Sequence, residues 1–320
     1  MHRRPQIALY WCAGCGGCEE SVIDLAEGLL GVAETADIVF WPVALDARYA
    51  DLAALADGAL AATLINGAIR LEAHVHMVRL LRRKSKRIIA HGTCAHLGGV
   101  IGLGNLHPSG QLLETAFRRV ASMADPAGPL PGNAAPGTWP PLTGLLPAVL
   151  PVAGVVPVDA IIPGCPPPPE TMARVLDDIV HDRPPPPGHV YAARKSLCHE
   201  CPRLASRPEK ITVTRFKRLH ETLWDPTVCF LPQGLICLGP VTRGGCNARC
   251  IGANMPCRGC FGPPETMDDA GAGAISLIAA LMADADDAEL EAVIESIPDP
   301  MGLFYRYGLA ASPLGRGIRP

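Results

Sequence analysis

Ile7-Ala8-Leu9-Tyr10-Trp11-Cys12-Ala13-Gly14-Cys15-Gly16-Gly17-Cys18-Glu19-Glu20-Ser21-Val22-Ile23 is the stretch that decides the fold. Its apolar opening, residues 7–10, reads as a short buried strand that runs straight into glycine-spaced cysteines. Val22, Ile23, Leu25, Ala26, Leu29 and Leu30 then recur at helical spacing, which predicts a helix over 19–30. Downstream the alternation continues. Strands are expected over 37–43, 61–65, 87–90 and 158–162, and helices over 71–83 and 170–180. Strands alternating with helices argue for an α/β domain with a parallel sheet covered on both faces.

The cysteines fall on that pattern. Cys12, Cys15 and Cys18 follow the first strand, Cys94 the fourth and Cys165 the fifth. In a parallel sheet those strand ends share one edge, and ligand sites in open α/β sheets lie in the crevice beyond it. Taken singly, Cys94 and Cys165 read as buried structural thiols. Both landing at strand ends, beside a Cys-x-x-Cys on a third, argues for a shared metal site. Gly14, Gly16, Gly17, Gly92 and Gly164 release the backbone around these positions. They also expose N–H groups that can reach sulfur.

Arg183-Pro184-Pro185-Pro186-Pro187-Gly188 is the expected linker, because consecutive prolines favour extended geometry. It divides the chain into domains 1–182 and 183–320. Proline also concentrates over 166–169 and over 126–157, the latter an expected irregular insertion. The second domain is loop-rich and carries Cys198-x2-Cys201, Cys229-x7-Cys237 and Cys246-x3-Cys250-x6-Cys257-x2-Cys260. Its one clear helix is expected over 270–283, close-packing and without chemistry of its own. Eight thiols suffice for two four-thiolate sites. Zinc ribbons use the same paired elements, so spacing alone leaves zinc and iron–sulfur both open. A row of sites, a first site on a sheet edge and the lack of a basic surface favour iron–sulfur.

With 320 residues the chain is long enough for two domains. Net charge is −3, which leaves no electrostatic footprint for nucleic acid. No apolar run approaches the roughly 20 residues of a transmembrane helix. Arg3-Arg4 suggests an export signal, but the apolar segment after it is short and reads as the first strand, so no leader is expected. A cytoplasmic location follows, where clustered thiols are more often ligands than disulfides.

These motifs resemble the small, electron-transferring subunit of [NiFe] hydrogenases, nearest the cytoplasmic F420-non-reducing type that works beside heterodisulfide reductase. Cys15-Gly16-Gly17-Cys18-Glu19, Gly92-Thr93-Cys94-Ala95 and Pro163-Gly164-Cys165-Pro166-Pro167 carry the resemblance in the first domain. Cys198-His199-Glu200-Cys201-Pro202, Cys237-Leu238-Gly239-Pro240-Val241-Thr242-Arg243, Pro256-Cys257-Arg258-Gly259-Cys260 and Phe304-Tyr305-Arg306-Tyr307 extend it over nearly the whole chain. The resemblance implies a flavodoxin-like first domain and three [4Fe-4S] clusters. Cys15, Cys18, Cys94 and Cys165 would hold the proximal one. Cys246, Cys250, Cys257 and Cys260 would hold the medial one, and Cys198, Cys201, Cys229 and Cys237 the distal one. It implies no catalytic residue in this chain, a nickel-bearing large subunit as partner, and a further acceptor that is heterodisulfide-reductase-like or a ferredoxin or flavin protein.

Cys12 is additional to the usual opening pair and reads as a buried or near-cluster thiol; a ligand role is the alternative. The x3-Cys-Pro continuation of ferredoxins is missing. His74 and His76 are expected on different helix faces, and Arg82, Arg83, Lys84, Lys86 and Arg87 on a solvated helix end. His199 is read as an exposed turn or a donor to sulfur. Glu19 and Glu20 suit a helix start, with a proton route at a subunit interface as the alternative. Two rival functions stand beside the hydrogenase reading. One is the single-cluster subunit of respiratory complex I, whose family uses an adjacent Cys-Cys pair that this sequence lacks. The other is a zinc-stabilised interaction module.

Overall fold

The computed structural model describes residues 4–125, 127–128, 130, 143–282 and 286–317. Of the insertion expected over 126–157, residues 126, 129 and 131–142 lie outside the described residues. The chain forms two units: Met1–Val190 together with Leu309–Pro320, and Tyr191–Gly308.

The first unit runs β1 (Gln6–Trp11), α1 (Gly17–Ile23), α2 (Glu27–Thr35), β2 (Asp37–Phe40), α3 (Tyr49–Ala54) and β3 (Ala62–Asn66). It continues with β4 (Ile69–Leu71), α4 (Glu72–Lys84), β5 (Ile88–His91), α5 (Gly92–Leu97), α6 (Ser109–Glu114), β6 (Leu145–Leu150), β7 (Ala160–Ile162), α7 (Pro169–Val180) and β8 (His189–Val190). The main sheet has the order β2-β1-β3-β5-β7-β8, and every pairing in it is parallel. Leaving out β4 and β6, this is the flavodoxin-like order, with its reversal between β1 and β3. All five residues of β3 are buried, as a strand covered on both faces requires. Residues 309–317 return to this unit, where Ala310 packs with Ala68 and Val149.

Several elements differ from expectation. The helix over 19–30 is two helices, because Ala26 takes a left-handed φ of 49° between α1 and α2. β2 ends at Phe40, and Trp41 and Pro42 turn away. β4 and β6 form a separate antiparallel pair that the sequence did not announce. The division between units falls at Val190/Tyr191, after the proline run, because β8 follows those prolines and joins the first sheet.

The basic run 82–87 is a correction. Arg82 pairs with Asp159, Lys84 Nζ lies 2.9 Å from Asp57 Oδ1, and Arg87 Nη2 lies 2.8 Å from Asp182 Oδ1. The end of α4 and the start of β5 lie against loops that carry those carboxylates, so three of the five cations are paired rather than free on a solvated face. His74 is buried, and its Nδ1 accepts N–H groups of Arg70 and Leu71, while His76 is exposed. The two do face apart.

In the second unit short 3-10 turns and loops dominate, with α8 (Arg249–Gly252), α9 (Ala270–Leu281), α10 (Asp287–Glu295) and α11 (Pro300–Phe304). Asp269 starts α9 by accepting from Gly271 N at 2.8 Å and Ala272 N at 3.1 Å. A Cβ on Gly271 would come within 2.4 Å of the Tyr305 ring, so α9 packs as closely as its composition suggested.

Candidate metal centres

The first set is built on one edge of the sheet. β1 delivers Cys15 into a turn and Cys18 into the first turn of α1. β5 ends directly in α5, which carries Cys94, and β7 leads to Cys165. The Thr93 N–H donates to Gly164 O at 2.9 Å and ties two of these loops together. All four thiols share one volume. Cys18 feels Cys94, Cys165 and Cys15, and Cys94 and Cys165 each feel Cys15.

Burial, and after it those neighbouring thiols, pushes Cys18 far up and Cys94 up to about 11. Cys165 is raised by the same two causes. A bare thiolate is therefore costly here, and a bound metal would supply the missing positive charge.

Glycine makes the room. At Gly92 (φ +85°) a Cβ would sit 2.2 Å from Cys18 Sγ, and at Gly99 (φ +62°) 2.3 Å from Cys94 Sγ. The Val100 N–H bonds the Cys94 sulfur, and Gly17 N lies 3.5 Å from Cys15 Sγ. Such N–H contacts suit sulfurs that ligate a cluster.

Cys12 stands apart. It is 6% exposed, packs in the apolar core with Ala8, Tyr10 and Phe40, and has its thiol raised by burial alone.

In the second unit Cys198, Cys201, Cys229 and Cys237 come together. Cys198 feels Cys201 and Cys229, and Cys237 feels Cys198 and Cys229. A Cβ on Gly239 would lie 3.5 Å from Cys198 Sγ and 3.6 Å from Cys237 Sγ, so two sulfurs flank it. Cys237 is pushed up to about 11 by burial, partly offset by N–H groups of Gly239 and Cys257. Of the other four cysteines, Cys246 lies near Cys250, and Cys257 near Cys260. Cys257 also reaches Cys237, whose sulfur accepts its N–H at 3.4 Å. Among the described residues no three Cys, His, Asp or Glu side chains meet closely enough to share a single ion.

Glu19 lies in the first turn of α1, as a helix-starting carboxylate should, but it is 5% exposed, and it accepts from Trp41 Nε1 and Asn66 Nδ2. Burial raises its pKa, and those two bonds oppose the rise. Two charged side chains at the second-unit sites escaped the sequence. Glu200 accepts the N–H groups of Gly245 (2.8 Å), Cys246 (3.2 Å) and Ala248 (3.3 Å). Arg207 Nη1 lies 3.8 Å from Cys198 Sγ. His199 bonds Ser196 and is exposed, as the turn reading expected.

The family model described as "NADH ubiquinone oxidoreductase, 20 Kd subunit" matches residues 15–179. The iron–sulfur subunit of the F420-non-reducing hydrogenase of Archaeoglobus profundus is 35% identical over 98% of both chains. The chain belongs to the family of hydrogenase iron–sulfur small subunits. The corresponding chain of the F420-non-reducing hydrogenase of Methanothermobacter marburgensis is 33% identical over 100% of this small subunit and 99% of its own length. The delta chain of sulfhydrogenase 2 from Pyrococcus furiosus is 30% identical over 81% and 86%. The Ni-Fe-Se hydrogenase of Desulfomicrobium baculatum shares the fold at a TM-score of 0.52, with 18% identity over 83% of this small subunit and 97% of that chain. The complex I model ends at residue 179, before the eight cysteines of the second unit.

Proposed function

We propose that this chain carries electrons between a nickel–iron centre in a large subunit and an external acceptor. Cys15, Cys18, Cys94 and Cys165 would hold the proximal [4Fe-4S] cluster, Cys246, Cys250, Cys257 and Cys260 the medial one, and Cys198, Cys201, Cys229 and Cys237 the distal one. When bound, such clusters supply reversible one-electron chemistry. The protein supplies the thiolates and the N–H groups aimed at sulfur, with Cys237 and Cys257 buried and Cys15, Cys165 and Cys250 exposed.

The observation that carries this reading is the meeting of four thiols from three strand ends, in a chain with eight more, within a hydrogenase small-subunit family. The rival zinc module fits less well. The relatives that share nearly the whole chain are iron–sulfur subunits of hydrogenases, which favours iron over zinc for the same thiols.

A large subunit has a ready seat. Val43, Leu45 and Tyr49 are exposed apolar side chains that follow the end of β2, Trp11 closes β1 on the edge that leads to Cys15 and Cys18, and Ile23 ends α1. Exposed apolar surface of this kind marks subunit contacts. Among the described residues no helix is long and apolar enough to cross a membrane. We place the protein in the cytoplasm, where reduced thiols are kept available for iron. The acceptor is a second partner, a heterodisulfide-reductase-like subunit or a ferredoxin or flavin protein.

Anaerobic purification of the complex tests this. An absorption band at about 400 nm, bleached by dithionite, with acid-labile sulfide is expected of iron–sulfur sites. A colourless preparation containing zinc and no sulfide would overturn the reading.

A further inference from the structure

Glu200 lies in sequence between two proposed distal ligands, yet its carboxylate works on the other set. Three backbone N–H groups of the 245–248 segment hold it, and Oε1 lies 3.8 Å from Cys246 Sγ. The Cys246 thiol is raised by burial and by the Glu200 charge, against the Ala248 and Arg249 N–H groups, which lower it.

The distal set meets the opposite sign. Arg207 Nη1 lies 3.8 Å from Cys198 Sγ, and the same guanidinium acts on Cys229. Arg203, only 4% exposed, is held by Asn254 Oδ1 at 2.8 Å and by the face of Phe230 at 4.0 Å, and it too acts on Cys229. Asp225 offsets part of the Arg203 charge, which leaves Arg207 the larger share. Arg258 does not separate the two sets, since it acts on Cys237 of one and Cys257 of the other.

A cation beside a ligating sulfur stabilises the reduced, more negative form of a cluster, and an anion opposes it. We infer that Arg207 and Glu200 set a potential step within the second unit, with the distal cluster the stronger electron acceptor and the medial cluster the weaker. This rests on the ligand assignment proposed above. Each transfer oxidises the medial cluster by one electron and reduces the distal one by one, so the step favours outward flow. Two electrons and two protons leave each H2 at the large subunit. The protons stay outside this path, and the electrons pass to the external acceptor.

The test is an anaerobic redox titration of the assembled complex followed by electron paramagnetic resonance. Cys229→Ser and Cys250→Ser assign the distal and medial signals by changing one signal each. The wild-type distal potential is expected above the medial one. Arg207→Gln should lower the distal potential alone and shift electron sharing between the two by about tenfold, about 59 mV for a one-electron couple. Arg207→Lys should keep most of the step, and Glu200→Gln should raise the medial potential. A medial potential equal to or above the distal one in wild type, with both signals present, overturns the inference and leaves the cluster assignment intact. Equal shifts of both signals in Arg207→Gln also overturn it. Absence of the two signals from wild type overturns the assignment, and the inference with it.

Discussion

Gly92 and Gly99 carry the tightest steric constraint at the first site. A methyl group at either would overlap a sulfur by more than side-chain motion relieves, on backbone with positive φ. Gly92→Ala or Gly99→Ala is expected to remove the first cluster alone, a loss of about four iron atoms per chain that iron analysis would detect. Unchanged iron would contradict the assignment of Cys18 or Cys94. His91 gives a second prediction. The Ser21 hydroxyl donates to Cys18 O at 2.7 Å, so His91 Nε2 must donate to Ser21 Oγ at 3.2 Å, and Nδ1 has no partner among the described residues. Burial holds this imidazole neutral, with its pKa lowered to about 3. Unfolded, it binds a proton near pH 6.5, so its contribution to stability is complete above that pH and is lost as the pH falls toward 3. Between pH 6.5 and 5 the loss is about 2 kcal/mol. Denaturant midpoints over that range should flatten in His91→Gln, and identical slopes would refute the role. Thiol spacing made the twelve ligand candidates legible in sequence. Glu200 and Arg207 were not legible, because the effect of a charge depends on where its side chain points.

At the scale of elements, apolar runs bounded by turns revealed β1, β3, β5, α4 and α7 within a residue or two. β4 was hidden by its brevity, by the charged Arg70 within it, and by a partner strand that starts at Leu145. No glycine or proline marks the break at Ala26, so the split between α1 and α2 was invisible. The basic end of α4 looked solvated because its carboxylate partners lie on other elements. Asp159 joins three of them, bonding Arg82 of α4 and accepting the Ile88 N–H of β5 at 2.6 Å beside β7. Asp159→Ala should cost about 1–2 kcal/mol, read as a lower denaturation midpoint. The apolar edge after β2 supports a separate prediction. Val43→Asp is expected to weaken association with the large subunit by about tenfold or more while the iron content holds. Unaltered co-purification would move the interface elsewhere.

For the whole molecule, the short apolar runs agree with the lack, among the described residues, of a helix able to cross a membrane, and the alternation of elements announced the parallel sheet. The late division at Val190/Tyr191 and the return of residues 309–317 were not readable, because both depend on which surface a short segment finds. The proposed electron path needs twelve thiols to hold three cubane clusters. Iron and acid-labile sulfide, counted per chain in the complex purified without air, test it most directly after the nickel subunit's content is subtracted. About twelve of each are expected. About four of each would reduce the chain to a single-cluster carrier, and zinc without sulfide would rule out cubane clusters altogether.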